Sequence, residues 1–449
     1  MWAGAFEADP IRQTTGLKIR GLKISKRPAT VGYRYFAGIH FVVSHTVEKL
    51  LAIFVDDDIL TVTDLDDNAS FNIDEPNRFG GREGSGGLRG TFDVMFGAPD
   101  QGANDYLTSQ VNFVPGYRGL LSVVLNRFYL GNSPMFPPWS FLVQRVNTNL
   151  QGESIWYPEK AGIFSQEGTD GLQEFINGTD EDGNPNPSSI ATPEVIDLNP
   201  AHIIYSVLTE LIGIPASRID DALFRAAADT LYDEQFGLSY VWDDASSYDD
   251  FIRRVVDHID ATLHVDPVTS LWGLYLIRTI ADEDIDIIFD ESNSTLDEFN
   301  REGYGELYSE IDIKSVDRFT GNEIGIRETN DALVRIQGGP NGTEQTFDMA
   351  FDLHVRRIIA SRNRLFNSIP KCHGTLEADH SRCYNRFVGE PIFISSRKYG
   401  FELLKARITQ VRFRNFNTMR GQIEWIQDYR EADSTVPFTS ADNLSLIHI

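Results

Sequence analysis

The stretch Asn199–Glu210, which reads NPAHIIYSVLTE, constrains the local fold more than any other feature of this chain. Asn199 is suited to cap a helix, because its side-chain oxygen can accept a hydrogen bond from a backbone N–H one turn on. Pro200 then occupies the first helical position, where its missing N–H costs nothing. Apolar residues follow at helical spacing: Ile203, Ile204, Val207, Leu208 and Leu211. We therefore predict a helix that begins at Pro200 and buries one face.

Length and hydropathy indicate a globular chain of several domains. At 449 residues the chain predicts about three domains, at roughly 150 residues per domain. Hydrophobic residues make up 41% and charged residues 24%, which is typical of a packed protein. The longest apolar run, Leu50–Val55, is far shorter than the ~20 residues of a membrane span. The first residues lack the pattern of a secretory signal, so we expect synthesis in the cytoplasm and no transmembrane segment.

The charge and the cysteine content exclude further classes. The 66 acidic and 40 basic residues give a net charge of −26, which argues against specific nucleic-acid binding. The charge remains compatible with a channel through which nucleic acid passes without binding to the wall. With only two cysteines, the fold does not depend on a disulfide framework.

The order of segments predicts an α+β, β-rich chain in which two β-dominated domains flank a smaller α+β domain. The predicted parts are an N-terminal β-rich domain at 1–165, a linker at 166–198, an α+β domain at 199–297, a C-terminal β-rich domain at 298–432 and a tail at 433–449. The linker is predicted because the run from Asn177 to Ser189 has few apolar side chains and many turn formers. Within the α+β domain, S-x-x-D patterns at Ser217 and Ser247 predict the starts of two further helices.

Only one cluster contains residues that bind transition metals. Cys372, His373, His380 and Cys383 place two thiols and two imidazoles within what we interpret as one loop. Zinc requires four such ligands in a tetrahedron, but this spacing matches no established zinc pattern. The alternative is a polar loop with two thiols that are free or loosely paired. A cysteine-protease site at Cys372 is disfavoured, because the adjacent His373 is not in the usual arrangement. We assign no catalytic residue, metal or cofactor.

Two other segments resemble binding motifs only in part. The glycine-rich loop Gly80–Gly90 lacks the G-K-[ST] ending of a phosphate-binding loop, and is better interpreted as a turn that needs positive φ. The acidic run Asp180–Asn184 lacks the 12-residue spacing and the terminal Glu of a calcium loop. Neither segment predicts a site.

Seven segments, taken in chain order, resemble one family. Besides Asn199–Glu210 they are YRYFAGIHFVVSH at Tyr33–His45, GGLRGTFDVMFGAPDQGANDYL at Gly86–Leu107, PGYRGLLSVVL at Pro115–Leu125, YLGNSPMFPPWSFLVQR at Tyr129–Arg145, WYPEKA at Trp156–Ala161 and GQIEWIQDY at Gly421–Tyr429. They resemble the hub proteins at the tail tips of long-tailed bacteriophages, the family similar to tip attachment protein J. The tail hubs of gene transfer agents are more distant relatives.

This resemblance implies a multi-domain phage tail hub with a structural function and no enzymatic activity. Family members form a homotrimer that closes the tail tube, links it to host-attachment parts and passes the genome through its ring. The implied partners are the tail tube, other tail-tip proteins, the tape measure protein and, through missing C-terminal domains, a host receptor. The implied location is the tail tip of the virion.

The last residues bear on the missing domains. Leu444–Ile449 reads LSLIHI, which resembles the translation of a sequencing-library adapter end. We therefore expect 433–449 to be a truncated tail with an artefactual end, and the natural chain to be longer.

Two alternative functions are compatible with the sequence. One is a tail-associated cell-wall hydrolase, since 66 acidic residues guarantee chance pairs of carboxylates. The other is a receptor- or carbohydrate-binding module, for which exposed aromatic patches on a monomer would be expected.

Overall fold

A computed structural model describes residues 2–430, except 14–16, 20, 21, 25–27, 57, 79–85, 133–135, 180–182, 184, 187–189, 243–245 and 416–418. The chain divides into two compact units. The first contains the residues up to Leu198 together with Arg318–Gly321, and the second contains the remainder.

The first unit is built mainly from β-strands. Its strands are β1 (Trp2–Gln13), β2 (Leu17–Ile19), β3 (Leu22–Ile24), β4 (Ala29–His45), β5 (Lys49–Val55), β6 (Asp58–Leu65), β7 (Ala69–Glu75), β8 (Leu88–Met95), β9 (Leu120–Tyr129), β10 (Trp139–Gln144), β11 (Gly162–Phe164) and β12 (Ile196–Leu198). Helices α1 (Asp105–Gln110) and α2 (Gln166–Asn177) and a 3₁₀ turn at Pro158–Lys160 accompany them. The strands form a sheet of order β1-β4-β9-β8-β7, a sheet of order β10-β5-β6, and the pairs β2-β3 and β11-β12.

The core of this unit contains a group of packed aromatic rings. Phe92 on β8 is fully buried and contacts Phe128 on β9, with ring centroids 5.1 Å apart and the planes nearly perpendicular. Trp139 on β10 lies 5.3 Å from Phe92 and 6.0 Å from Phe128. Phe92 lies at a buried position of β8 between more exposed residues, and Phe128 lies at a buried position of β9, so the two rings share one interior.

Among its described residues, the second unit combines six helices with three groups of strands. Its helices are α3 (Pro200–Ser206), α4 (Asp221–Asp233), α5 (Tyr248–Ile259), α6 (Asp331–Gln337), α7 (Leu353–Ser368) and α8 (His380–Cys383). Its strands are β13 (Ala261–Val265), β14 (Trp272–Leu276), β15 (Ile288–Phe289), β16 (Ser294–Arg301), β17 (Glu310–Val316), β18 (Glu323–Thr329), β19 (Gly342–Thr346), β20 (Cys372–Asp379), β21 (Pro391–Ser396), β22 (Phe401–Asn415) and β23 (Arg420–Gln427). They form a six-stranded sheet of order β15-β21-β22-β23-β20-β16, a sheet of order β18-β17-β19 and the hairpin β13-β14. Single 3₁₀ turns occur at Ala216–Arg218, Asp282–Asp284 and Tyr304–Glu306.

The helix starts agree with the sequence at two of three positions. Asn199 caps α3 by accepting from the backbone N–H of Ala201, and a π-helical turn at Val207–Leu211 continues it. Ser247 caps α5 as predicted. The start predicted at Ser217 is wrong, because Asp220 provides the cap of α4 and Ser217 lies in the preceding 3₁₀ turn.

The segment 166–198, expected as a linker, contains regular structure of the first unit. Ser165 caps α2, and Leu172 on that helix is fully buried. Together with Val195 it packs against a cluster that includes Leu51 and Phe54. The apolar residues of α2 therefore find a hydrophobic surface, which the polar run after Asn177 does not reveal.

The six-stranded sheet contradicts the expected loop around Cys372. Residues Cys372–Asp379 form β20, which lies between β23 and β16, and residues His380–Cys383 form the short helix α8. Leu376 and Ala378 alternate with more exposed residues and are buried in the sheet's core, which is the pattern of a strand.

The expected α+β, β-rich class is confirmed. No helix among the described residues is long and apolar enough to cross a bilayer. The three-domain boundaries remain a prediction, and the tail at 433–449 lies outside the described residues.

Candidate functional site

The four metal candidates from the sequence are spread along a strand and a helix. Cys372 and His373 begin β20, whereas His380 and Cys383 lie on α8 beyond its end. At about 3.3 Å per strand residue, the two ends of β20 are roughly 20 Å apart. One ion therefore cannot bind all four side chains.

The surroundings of each candidate agree with packing roles. The Cys383 thiol is buried and donates weakly to the carbonyl of Ala378, with sulfur and oxygen 3.8 Å apart. Burial raises the pKa of both Cys372 and Cys383, which keeps the thiols protonated near neutral pH. His380 packs against the rings of Tyr384 and Phe413, at centroid distances of 6.0 and 5.0 Å. Within the described part of the chain, no group of three or more His, Cys, Asp or Glu residues is arranged to hold a metal ion.

The other two candidate segments lie largely outside the described residues. Residues 79–85 of the glycine-rich loop are not described, but Gly86 has a φ of 94°, as a glycine turn requires. In the acidic run, Asp180, Glu181, Asp182 and Asn184 are not described.

The structure reveals a group of buried charges in the second unit that the sequence analysis missed. Glu234, which follows α4, accepts from Nε of Arg278 at 2.6 Å and from its Nη2 at 3.0 Å. Nη2 of Arg362 on α7 donates to the same carboxylate at 2.9 Å. Although burial opposes it, the two guanidinium groups lower the pKa of Glu234. Burial, and repulsion from Arg278, reduce the pKa of Arg362 to about 10.

A second chain of ion pairs lies on the six-stranded sheet. Arg407 on β22 pairs with Asp428, and their side chains are 4% and 0% exposed. Arg430 contacts Asp428 at 3.3 Å and Asp260, at the end of α5, at 2.6 Å. Nη1 of Arg407 also donates to the backbone carbonyl of Gly389 at 2.9 Å. This chain of charges links the end of helix α5 to the middle of β22 and to the end of β23.

These charges surround a cavity of about 310 Å³. Its wall includes three guanidinium groups, from Arg362, Arg407 and Arg430, and three carboxylates, from Asp257, Asp260 and Asp428. Burial raises the pKa of Asp257. Because the opposite charges are equal in number and most pair with one another, the cavity has no strong preference for an anion or a cation. We call the residues Glu234, Asp260, Arg278, Arg362, Arg407, Asp428 and Arg430 the charge network.

His258 lies beside the cavity as a neutral packing residue. Its Nδ1 lies 2.7 Å from the carbonyl oxygen of Arg254, and its Nε2 accepts from the backbone N–H of Met349 at 3.2 Å. Both contacts fit the tautomer with the proton on Nδ1. Burial lowers the pKa of His258, which agrees with a neutral ring.

Glu390 is a largely buried carboxyl group with a raised pKa. It pairs with Arg386, whose Nη1 lies 2.7 Å from Oε1. Burial nevertheless raises the pKa of Glu390 to about 7. No thiol, hydroxyl or imidazole is shown within hydrogen-bond distance of it in the described part of the chain. The group therefore lacks the partner that a catalytic acid–base pair would require.

The charge network connects elements that are distant in the sequence. Arg430 and Asp260 are 170 positions apart, and Arg362 and Glu234 are 128 positions apart. One local signal was available in the sequence: Arg278 directly follows the apolar run Leu274–Ile277, whereas Arg362 and Arg407 lie among other polar residues. That signal does not say which carboxylate the arginine meets.

Comparisons with known proteins identify a solved structure with the same fold. No protein-family model matches the chain, and no curated protein matches it. Among solved structures, a chain in the virion of a native gene transfer agent particle aligns with a TM-score of 0.51, covering 95% of this chain and 85% of that one at 11% identity. The chain has the fold of that virion chain.

Two tail proteins also align over most of their length. The 43 kDa tail protein of prophage MuSo2 from Shewanella oneidensis aligns with a TM-score of 0.32 and 9% identity over 92% of this chain and 98% of that one. A tail protein from Neisseria meningitidis MC58 aligns with a TM-score of 0.31 and 8% identity over 95% of this chain and 97% of that one. Scores of this size carry no argument, so the assignment of the fold rests on the virion chain. The resemblance is confirmed as the fold shared with the virion chain of a gene transfer agent, whereas the specific likeness to tip attachment protein J stays a prediction.

Proposed function

We propose that this chain is a structural component of a bacteriophage-type tail, located in the virion. The observation that carries the proposal is the alignment with the virion chain of a gene transfer agent particle over 95% of this chain. The seven sequence segments that resemble tail hubs support it independently, because they were found without structural information.

Within the tail, the proposed position is the tip. The chain would act as a hub that closes the tail tube as a homotrimer, links the tube to host-attachment parts, and lets the genome pass through its ring. Its partners would be tail-tube and tail-tip proteins and the tape measure protein, with host contact through domains beyond this chain. The family resemblance supports these finer statements.

The proposed role is structural and not enzymatic. The charge network supports this role, because its carboxylates and guanidinium groups bind one another and connect helices α4, α5 and α7 to the six-stranded sheet. A hub benefits from such internal ion pairs, since it must keep its shape during assembly. A tail-associated hydrolase would instead clear a peptidoglycan zymogram, and that result would contradict the structural proposal.

Immunogold electron microscopy tests the location directly. Antibodies raised against the purified chain would be applied to particles from cells that carry the gene, with particles from a deletion strain as the control. We expect gold at the end of the tail distal to the capsid. Gold on the capsid, or no gold on any particle while the protein is present in the lysate, would refute the proposal.

A further inference from the structure

The cavity beside the charge network continues into a second cavity. The second cavity has a volume of about 360 Å³, and four wall residues are common to both: Asp257, Asp260, Phe347 and Asn363. The wall residues of both cavities belong to the second unit. Because they share part of their wall, the two cavities form one groove with two compartments between the end of α5, the end of β19 and α7, which we call the α5–α7 groove. Each compartment is comparable with a small-molecule site of roughly 300–1,000 Å³.

The charged side chains of this wall are mostly paired already. Arg407 and Asp428 form a buried ion pair, and Arg430 bridges Asp428 and Asp260. Arg362 pairs with another carboxylate of the charge network. A ligand with a net charge would therefore have to displace an ion pair or lie in the groove without a counter-ion, and both are costly. The pairing favours a ligand that is neutral.

Other polar side chains of the wall have free hydrogen-bonding groups. In the described part of the chain, Asp257 has neither an ion pair nor a side-chain hydrogen bond, and it is exposed. Asn363 donates from Nδ2 to the carbonyl of Ile359 at 3.0 Å, which leaves its Oδ1 to accept. Thr346 and Thr409 are exposed and add two hydroxyl groups. A hydroxyl group of a ligand both donates and accepts, so it can bind a carboxylate, an amide oxygen or another hydroxyl.

Apolar side chains supply much of the remaining wall. Phe366 on α7 and Val388 are 42% and 41% exposed, so they lie at the opening of the groove. The ammonium group of Lys371 lies 4.2 Å from the centre of the Phe366 ring and covers one face of it. The exposed area of Phe366 leaves the other face for a ligand. A pyranose ring matches such a wall, because its C–H groups can pack on an aromatic face while the hydroxyl groups around its edge reach the polar side chains.

We propose that the α5–α7 groove binds a neutral saccharide of one or two pyranose units. Hydroxyl groups of the sugar would donate to Asp257 and Asn363, and a sugar ring would pack on Phe366. An amino acid is also neutral overall, but its carboxylate would need a guanidinium group without a carboxylate partner, and the described wall offers none. The inference goes beyond the proposed function, in which host contact depends on domains beyond this chain.

The groove is suited to bind a sugar and not to cleave it. Glycoside hydrolysis uses two carboxyl groups, one as an acid and one as a base or nucleophile. Of the three carboxylates on the described wall, Asp260 and Asp428 are held by Arg430 and Arg407, and only Asp257 is unpaired. Saccharide binding is therefore compatible with a structural protein.

Saturation-transfer difference NMR on the full chain tests the inference. The probes are glucose, galactose, mannose and N-acetylglucosamine at millimolar concentration, and glycine is the zwitterionic control. We expect saturation transfer from the protein to the ring protons of at least one sugar and none to glycine. Transfer to none of the four sugars would overturn the inference, and so would transfer to glycine alone.

Two pairs of variants test whether the sugar lies in the groove. Asp257→Ala should weaken its binding about tenfold, because a hydrogen bond to a charged group is lost. Asp249→Ala, also exposed but at the other end of α5, should leave binding unchanged. Val388→Trp should abolish saturation transfer by filling the opening. Its control is Val268→Trp, since Val268 is 60% exposed and is not part of the groove wall.

These positions are exposed, so all four variants should fold, which circular dichroism checks. Sugar binding that neither Asp257→Ala nor Val388→Trp weakens would place the site elsewhere and overturn the inference. The outcomes are separate from those of the proposed function. Failure to bind any sugar would leave the virion location untouched, and absence of the chain from the virion would leave the saccharide site untouched.

Discussion

Glu234 shows what a buried charge contributes at the scale of one residue. Its carboxylate is three-quarters buried and binds both Arg278 and Arg362. Replacing one member of such a group leaves the other charges buried without compensation, which costs more than the group contributes to stability as a whole. The importance of the charge network is therefore best measured as the stability that is lost when one of its members is replaced.

We predict that Glu234→Gln lowers the free energy of unfolding by about 3–5 kcal/mol, because two buried guanidinium groups lose their counter-ion. Urea unfolding at pH 7 measures it. The matched control is Asp249→Asn, whose partner Arg253 is 68% exposed and whose effect should stay below about 1 kcal/mol. Equal effects of the two substitutions would show that the network is no more important than a surface pair.

The pH dependence of this contribution has a defined sign. The pKa of Glu234 is lowered in the folded protein, so its stabilising effect is present above the unfolded pKa near 4.5. It is lost as pH falls from there through the folded pKa. The difference in stability between wild type and Glu234→Gln should therefore shrink below about pH 4.5 and be constant near neutrality.

The pKa shift of Glu390 has the opposite sign to that of Glu234, so its contribution to stability depends on pH in the opposite direction. Its folded pKa of about 7 lies above the usual value of 4.5, so the folded state binds the proton more tightly than the unfolded state. Its favourable contribution is full below pH 4.5 and disappears as pH rises through 7. Between pH 5 and pH 8 wild type should lose up to about 3 kcal/mol relative to Glu390→Gln, which has no proton to release. Parallel stability curves across this range, followed by urea unfolding, would contradict the prediction.

At the scale of elements, the start of α3 is held by a buried cap. Asn199 is fully buried, accepts from the N–H of Ala201 at 3.1 Å, and donates from Nδ2 to the carbonyl of Ala228 on α4 at 2.8 Å. The same side chain thus starts one helix and fastens it to the next. This explains why an asparagine, with a donor as well as an acceptor, occupies the position.

We predict that Asn199→Ala costs about 2–3 kcal/mol. About 1 kcal/mol comes from the lost cap, and the rest comes from the unsatisfied carbonyl of Ala228. Asp220→Ala at the start of α4 is the comparison, since its cap bond to the N–H of Leu223 is exposed and should be worth about 1 kcal/mol. Thermal unfolding of both variants would rank them, and the reverse ranking would refute the double role of Asn199.

Local patterns account for the elements that the sequence predicted correctly. The cap and Pro200 determine the start of α3, and Ser247 determines the start of α5, because these signals act within a few positions. The strand at Cys372–Asp379 was missed because two of its three inward residues, Gly374 and Ala378, are small and add little hydrophobic signal to that of Leu376. Its pairing with β16 and β23 stabilises it from a distance, which no local pattern reveals. The charge network was missed for the same reason.

At the scale of the whole molecule, the fold is shared with the virion chain of a gene transfer agent although few aligned residues are identical. Only 11% of aligned residues are identical to the virion chain of the gene transfer agent particle, although the alignment covers 95% of this chain. Core packing tolerates exchange of apolar side chains as long as their pattern is kept. Overall identity therefore says little about whether two chains share this fold.

The path of the chain connects its two units a second time. The chain leaves the second unit after Asp317 and returns at Asn322, and the residues between, Arg318–Gly321, belong to the first unit. There, Nη2 of Arg318 contacts both carboxylate oxygens of Asp197, at 2.7 and 2.8 Å, and the two side chains are 9% and 2% exposed. The ring of Phe319 lies 6.3 Å from that of Phe54. These buried contacts make the short excursion part of the first unit's core.

We predict that Arg318→Ala loosens the first unit around β12, because the buried carboxylate of Asp197 loses this guanidinium partner at a cost of about 3–5 kcal/mol. Amide hydrogen exchange at Ile196–Leu198 and along α2 should accelerate by roughly a hundredfold or more, at a factor of ten per 1.4 kcal/mol. Arg327→Ala on β18 is the matched control, since Arg327 is 61% exposed and its pair with Asp312 should contribute less than about 1 kcal/mol. If both variants left exchange in the first unit unchanged, Arg318–Gly321 would be only a surface turn, and the first unit would owe its stability to residues before Asn199 alone.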